Sequence, residues 1–357
     1  MPTAQLDVYG TQFYYEDSGA LDTSYTTIVI VHGTGVHGAI FRPIIPYAKA
    51  HNLRIVLLNR RDYPGSTPLT DADLAELTAA PEKFMRARAI EIAEFLAWFV
   101  RTHSIPRISS KGGKRVGGLA VVGWSSANAF MMGLFGNIDS IPQATRDTLD
   151  PYLRTYVHFD GPRWPLGLRT DELVSLPPQL LDTTASEDER FAFYKTWIST
   201  YYQHPYLTAP FYTRCAASDL TDGIPENRPL DAIPTFDRMT PEDQDATTSR
   251  YALFHSEILV RVADPQVLAD NLQRTLYHGG KGSSGWDGMT VVFLHCMESM
   301  WEMISASWTV EAWYSARQMG GDVPKGRNLE FRQMQGANHL PMWDQPEKLM
   351  KELAELV

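Results

Sequence analysis

The sequence predicts an α/β fold: a mostly parallel sheet flanked by helices, interrupted by a long, mainly helical insertion. Three observations carry this prediction. Short, nearly unbroken apolar runs recur along the chain, most clearly at Thr27–Val31, Leu119–Val122 and Thr290–Leu294. Strands of that kind are buried on both faces, as in a parallel sheet covered by helices. Segments with apolar residues at helical spacing lie between the runs, and alternating strands and helices imply right-handed βαβ units. From about Arg163 to Trp286 the alternation stops and Pro, Tyr and Trp become frequent.

Taken in order, Leu6–Tyr9, Gly10-Thr11 and Gln12–Tyr15 read as a hairpin, followed by the turn residues Asp17-Ser18-Gly19. Thr27–Val31 and Ile55–Leu58 are the first parallel strands. Pro81 opens a helix running to about His103, with Met85, Ile92, Leu96, Phe99 and Val100 on its apolar face. Proline suits its first turn, and Glu82 suits the positive end of its dipole. Leu119–Val122 and Tyr156–Phe159 continue the sheet. The insertion follows, with acidic polar stretches at Thr183–Arg190 and Thr240–Arg250, and closes in the glycine-rich Gly279–Gly285. That composition is a flexible linker's. It lacks the spacing of a phosphate-binding loop. Thr290–Leu294 resumes the sheet, Leu329–Met334 alternates as an edge strand does, and Pro346–Val357 is an amphipathic helix. The expected organisation is a core in two parts, residues 1–162 and 287–357, with the insertion at 163–286 between them.

Composition narrows the function classes. The chain has 357 residues, 44% hydrophobic and 21% charged, the balance of a globular protein. Its 32 basic and 42 acidic residues give a net charge of −10, which disfavours a nucleic-acid partner and offers no attraction to anionic membrane. Cys215 and Cys296 cannot build a disulfide framework. The segment Met1–Asp7 has neither a basic nor an apolar signal region, and no apolar run reaches the length of a spanning helix. A cytoplasmic protein is expected, as a monomer or homodimer.

The strongest local signal is Leu119-Ala120-Val121-Val122-Gly123-Trp124-Ser125-Ser126-Ala127, a buried strand running into Gly-x-Ser-x-Ala ahead of a helix from Asn128 to Phe135. A nucleophile elbow needs this arrangement: the serine sits on a strained turn, and the residues two before and two after it are small. Gly123 and Ala127 satisfy that rule around Ser125, whereas Ser126 would place Trp124 where a small residue is required. The Ser126 amide would then sit beside the reacting oxygen. His32-Gly33-Thr34-Gly35 follows the first parallel strand, and a glycine loop there can turn amides of Gly33, Thr34 or Gly35 toward an oxyanion. Gly336-Ala337-Asn338-His339 follows the last strand, the place from which a histidine returns to the serine as general base. No metal-ligand pattern is present, so no metal or other cofactor is expected. Cys296 reads as a buried small residue, and Arg60-Arg61 as a loop clamp through carboxylates.

Together with Arg61-Asp62-Tyr63-Pro64-Gly65-Ser66, these motifs resemble the α/β-hydrolase fold family, and within it the cap-bearing, fungal-type members. The resemblance covers about residues 6–162 and 288–357 and does not extend into the insertion. It implies an eight-stranded, mostly parallel sheet, a cap after the sixth strand and a Ser-His-acid triad. The chain departs from the pattern at Ala127, where the family usually has glycine. The acid has two candidates. Many members place it after the seventh strand, which points to Glu298; but if Cys296 takes the usual glycine place, Ser299 falls on the acid position. Relatives such as zearalenone-lactone hydrolases place it after the sixth strand, where Asp160 stands in Asp160-Gly161-Pro162, and Asp160 is the favoured candidate.

The expected function is hydrolysis of a carboxylic ester or lactone through an acyl-enzyme on Ser125, with His339 as base. Trp124, Trp164, Trp197, Tyr201 and Tyr202, together with Tyr212, are expected to line a pocket for a medium-sized, partly apolar small molecule. The alternatives are carbon–carbon cleavage or epoxide opening on the same scaffold, or a small-molecule receptor. Epoxide hydrolases of this fold carry aspartate in place of Ser125.

Overall fold

The computed structural model describes residues 2–6, 10–22, 24–168, 176–204, 232–261, 263–277, 286, 288–319 and 326–357. Its centre is one eight-stranded sheet. The strands are β1 (Thr3–Gln5), β2 (Gln12–Asp17), β3 (Thr26–Val31), β4 (Leu53–Leu58), β5 (Leu119–Trp124), β6 (Leu153–Phe159), β7 (Thr290–Cys296) and β8 (Asn328–Met334). They lie in the order β1-β2-β4-β3-β5-β6-β7-β8. Every pairing from β4 to β8 is parallel, while β1 and β2 add an antiparallel ribbon at one edge.

The continuous apolar runs are buried at every position of β3, β4, β5 and β6. Successive side chains point to opposite faces, so the sheet separates two cores. Val29, Val31, Val56, Val121 and Tyr156 pack under the helices α1 (Pro81–His103) and α2 (Ala127–Gly136). Ile28, Ile30, Ile55, Val122 and Val157 face the other core, which includes α6 (Pro346–Leu356). At about 25 cal/mol per Å² of buried apolar surface, these two layers are the main stabilising term. The alternating β8 is the far edge strand.

Three elements lie between or after them in the chain: α3 (Glu187–Ser199), α4 (Pro265–Tyr277) and α5 (Trp301–Met319). The described part of the insertion between β6 and β7 is helical. It holds α3, opened by a capping box of Ser186 and Glu189, and a helix from Arg250 to Arg261 interrupted by a π turn at Leu253–Glu257. The insertion's last described helix, α4, rests on the core: the Thr275 hydroxyl donates to the Met132 carbonyl of α2 at 3.1 Å. Among the described residues, no helix is long and apolar enough to cross a membrane.

The opening hairpin differs from its expectation. The strand partnering Gln12–Tyr14 is Thr3–Gln5, not Leu6–Tyr9. Leu6 is already in the connection, its amide bonded to the Thr11 carbonyl at 2.8 Å. Ala4 supplies the buried contact of this strand, and so small a side chain left the alternation unreadable. Residues 7–9, the Gly279–Gly285 linker and Tyr212 lie outside the described residues.

Buried histidines give the fold a pH dependence. Among the described residues, His158 in β6 and His295 in β7 have no hydrogen-bond partner on either ring nitrogen. Burial holds their pKa values down to about 3 and about 4, with Asp160 acting upward on His295. His37 is likewise lowered to about 4, by burial and then Arg42. Unfolded histidine titrates near ~6.5. Between roughly pH 6.5 and 4 the unfolded chain therefore binds more protons than the folded one, and stability falls as pH falls, by about 1.4 kcal/mol per pH unit for each such group. Urea unfolding midpoints measured across this window should drop steeply, and His158→Leu should flatten the slope.

Candidate active site

The site lies where the sheet changes direction. The chain leaves β3 toward β4 on one side, while β5 pairs with β3 on the other. The connecting loops diverge there and open a crevice at the carboxyl ends of the strands. Strand register sets what meets in it. Val31 pairs with Gly123, and Trp124 pairs with Phe159. Two residues beyond the first pair Gly33 faces Ser125, and one beyond the second Asp160 is level with it.

Ser125 adopts φ +57°, a left-handed conformation unusual outside glycine. The turn is held at both ends: its amide donates to the Phe159 carbonyl at 3.0 Å, and its carbonyl accepts from Asn128 Nδ2 at 2.8 Å. The space behind it is filled, since a Cβ on Gly123 would lie 2.7 Å from Asn128 Oδ1 and from Met131 Cγ. Ala127 is accommodated as the first residue of α2, fully buried. Gly33 approaches from the other side; a Cβ there would stand 2.7 Å from Ser125 Cβ and 3.2 Å from its Oγ. Gly33→Ala should therefore displace the serine and lower the kcat of any reaction it performs by about 10²-fold, the usual penalty for misplacing a reacting group. Steady-state kinetics with a chromogenic ester checks this.

The structure brings Ser125, His339 and Asp160 together. His339 Nε2 is 3.0 Å from Ser125 Oγ, and Nδ1 is 2.6 Å from Asp160 Oδ2. Asp160 is fully buried at φ +43°. Its Oδ1 accepts from the Cys296 amide at 2.8 Å, and its Oδ2 also accepts from the Ser299 hydroxyl at 2.7 Å. A carboxylate so surrounded only accepts. The Nδ1 proton of His339 is thereby assigned, and the Nε2 lone pair faces the serine hydroxyl. The histidine loop is tied down by Trp124 Nε1, which donates to the His339 carbonyl at 3.2 Å, and by Asn338 Nδ2, which donates to Ser199 and Thr235.

Glu298, the other candidate acid, does not reach the imidazole. It meets the histidine loop through its backbone, its amide donating to the Ala337 carbonyl at 2.9 Å and its carbonyl accepting from Tyr202. Burial raises its carboxyl pKa, with Lys348 acting against that. The next residue, Ser299, donates its hydroxyl to Asp160 Oδ2 instead. Cys296 is fully buried, and its thiol is pushed well up by burial.

The loop after β3 is held from below. Arg60 donates to the carbonyls of His32 and Gly33 and pairs with Glu257 at 2.7 Å. Burial works against its charge, but Glu257 and Tyr63 raise its pKa overall. Arg61 pairs with Asp73 and Glu91, so both arginines meet carboxylates. The Gly35 amide is not available to a ligand, because it donates to the Tyr63 hydroxyl at 2.8 Å; this corrects its expected place among the oxyanion donors. The Gly33 carbonyl is taken by Arg60 and Tyr63. The amides of Thr34 and Ser126 have no hydrogen-bond partner among the described residues. Glu257 can only accept, so the Thr34 hydroxyl donates to it at 2.8 Å, and Ser126 Oγ donates to Thr34 Oγ1 at 2.8 Å.

Above these groups lies a narrow, partly open pocket. Thr34, Ser125, Ser126 and His339 form its floor. Trp164, Tyr194, Trp197, Leu253, Glu257 and Arg261 wall it from the insertion, with Met300 and Met303 beside them. Trp164 and Trp197 are thus where the sequence expected them. Trp124, Tyr201 and Tyr202 are not. Trp124 lies beneath the histidine loop, its ring centre 4.7 Å from that of His339. Tyr201 bonds Asp344 at 2.7 Å and Tyr202 bonds the Trp197 carbonyl at 2.9 Å, which ties α3 to its neighbours. Sequence reasoning missed Tyr194, Glu257 and Arg261. Tyr194 stands next to Trp197 in an aromatic stretch and was legible as a group; the two charged residues sit in a segment without periodic signal.

Comparison with known proteins agrees with this architecture. A family model described as the alpha/beta hydrolase family matches residues 28–352. No curated protein matches the sequence. Among solved structures, the chain is similar to a Vigna radiata epoxide hydrolase mutant (TM-score 0.57, 13% identity, 99% of this chain and 98% of that one). It is also similar to an esterase from Exiguobacterium antarcticum (0.55, 12%, 99% and 97%) and to a bromoperoxidase from Bacillus anthracis (0.51, 11%, 99% and 98%). At such identities the likeness extends to the fold alone.

Proposed function

The chain belongs to the alpha/beta hydrolase family, and from that premise we propose that it is a serine hydrolase cleaving a carboxylic ester or lactone of a medium-sized, partly apolar molecule. The observation that carries this reading is the hydrogen-bonded line from Asp160 through His339 to Ser125 on the strained turn at the end of β5. In the proposed cycle His339 Nε2 takes the Ser125 proton as Oγ attacks the carbonyl. Asp160 stabilises the imidazolium that forms, and the free amides of Thr34 and Ser126 hold the oxyanion. The leaving alcohol takes the proton from His339. Water, deprotonated by the same nitrogen, then releases the acid and restores Ser125. Residues 163–286 act in this reading as the cap that selects substrate, and the acid after the sixth strand is the arrangement of lactone hydrolases resembled by the sequence. The serine at the elbow, in place of aspartate, weighs against epoxide opening.

The test is covalent labelling. A fluorophosphonate probe should label Ser125, located by peptide mass spectrometry, and a short p-nitrophenyl ester should be turned over with a burst of nitrophenol. A folded protein that neither labels nor turns over any ester would reject the reading and leave the receptor alternative standing.

A further inference from the structure

The pocket above Ser125 is walled by two buried side chains, Arg261 and Trp164, each with a donor nitrogen that has no acceptor among the described residues. Arg261, at the end of the helix interrupted by the π turn, has a side chain only 10% exposed. Among the described residues its one carboxylate contact is Glu302 at 3.5 Å, and its Nε has no hydrogen-bond partner. Trp164 is 3% exposed, and its Nε1 is also unpartnered. The two share a wall, with the guanidinium 5.8 Å from the centre of the Trp164 ring, and both line the space that holds Ser125 and His339. Arg60, on the same side of the site, is received by two carbonyls and a close carboxylate.

Among the described residues, the carboxylates near Arg261 are shared with other cations. Glu302 faces both Arg163 and Arg261. Glu257, the acid of the same cavity wall, is already engaged by Arg60 and Thr34. Burying unmet donors is expensive. A wall that holds two of them beside a reactive serine fits a ligand that brings the acceptors. We propose that Arg261 and Trp164 form an anion-recognising subsite, and that the substrate is an ester or lactone carrying a carboxylate away from the scissile carbonyl. This deepens the serine-hydrolase reading and rests on it. The apolar side chains of Met300, Met303 and Leu253 accept the carbon skeleton between the two ends.

The experiment uses matched esters on the full chain. In one pair the carboxylate is on the acyl side (p-nitrophenyl hydrogen glutarate against its primary carboxamide). In the other it is on the leaving group (4-carboxyphenyl acetate against 4-carbamoylphenyl acetate). The ratio of kcat/KM, acid over amide, is read for the wild type, Arg261→Met, Arg261→Lys and Trp164→Phe, each checked for folding by thermal melting. In at least one pair the wild type should prefer the acid. Arg261→Met should reduce that ratio on the order of 10- to 100-fold, with Arg261→Lys retaining part of it and Trp164→Phe lowering it less. A preference for the amide in both pairs, or ratios equal in wild type and Arg261→Met, overturns the proposal. Calorimetric binding of the same compounds to Ser125→Ala separates the two readings. If no ester is hydrolysed, the serine mechanism fails, while a carboxylate preference in binding that disappears in the Ser125→Ala/Arg261→Met double variant still upholds the subsite and its absence removes it.

Discussion

Ser125→Ala is expected to lower the kcat for ester hydrolysis by about 10⁴- to 10⁶-fold without unfolding the protein. The oxygen removed is the one 3.0 Å from His339 Nε2, so neither an acyl-enzyme nor a relayed attack can form. What remains is binding and the oxyanion amides, which alone sustain only a small residue of such catalysis. Stability should change little. The native serine already occupies φ +57°, and alanine meets the same backbone strain there. Its turn is fastened through backbone groups that alanine keeps, to Phe159 and Asn128. Kinetics with a p-nitrophenyl ester and a melting curve on the same preparation are the measurements. A variant with near-native turnover would mean that another group attacks.

Asp160→Asn is the second large effect, about 10⁴-fold in kcat. Asp160 Oδ2 accepts from His339 Nδ1 and from Ser299. An amide nitrogen in that place would donate to Nδ1 instead and drive the imidazole proton to Nε2, where it meets the serine hydroxyl as a donor and no base is left. Glu298→Gln should leave kcat within about twofold, since Glu298 touches the histidine loop through its backbone, which glutamine keeps. The pair of variants separates the two acids that the sequence offered. Equal losses in both, or a larger loss at Glu298, would return the role to the strand that Glu298 follows.

Much of this was legible from residues in a row. The unbroken β-branched runs marked β3, β5 and β7, because a strand covered on both faces has no polar side to show. Pro81 and Glu82 marked the start of α1 through local dipole and backbone effects. Gly123-Trp124-Ser125-Ser126-Ala127 was readable because the elbow's steric demand falls on residues two apart. The hairpin register was not, since Ala4 carries too little apolar surface to mark a face.

Other assignments depended on groups far apart in the chain. Asp160 and Glu298 both follow strands, and which of them lies beside His339 depends on the register of β6, β7 and β8, which brings the Asp160 carboxylate to Cys296, Ser299 and His339. Gly35 reads as a donor until Tyr63, arriving from the next loop, takes its amide. Tyr201 and Tyr202 looked like pocket residues because of their type, yet α3 turns Tyr194 and Trp197 toward the cavity instead. Glu257 and Arg261 have no local signature at all. Short-range sterics and burial act between neighbours and so leave their mark on consecutive letters; which buried charge meets which partner depends on packing between segments hundreds of residues apart, and only the folded chain brings those together.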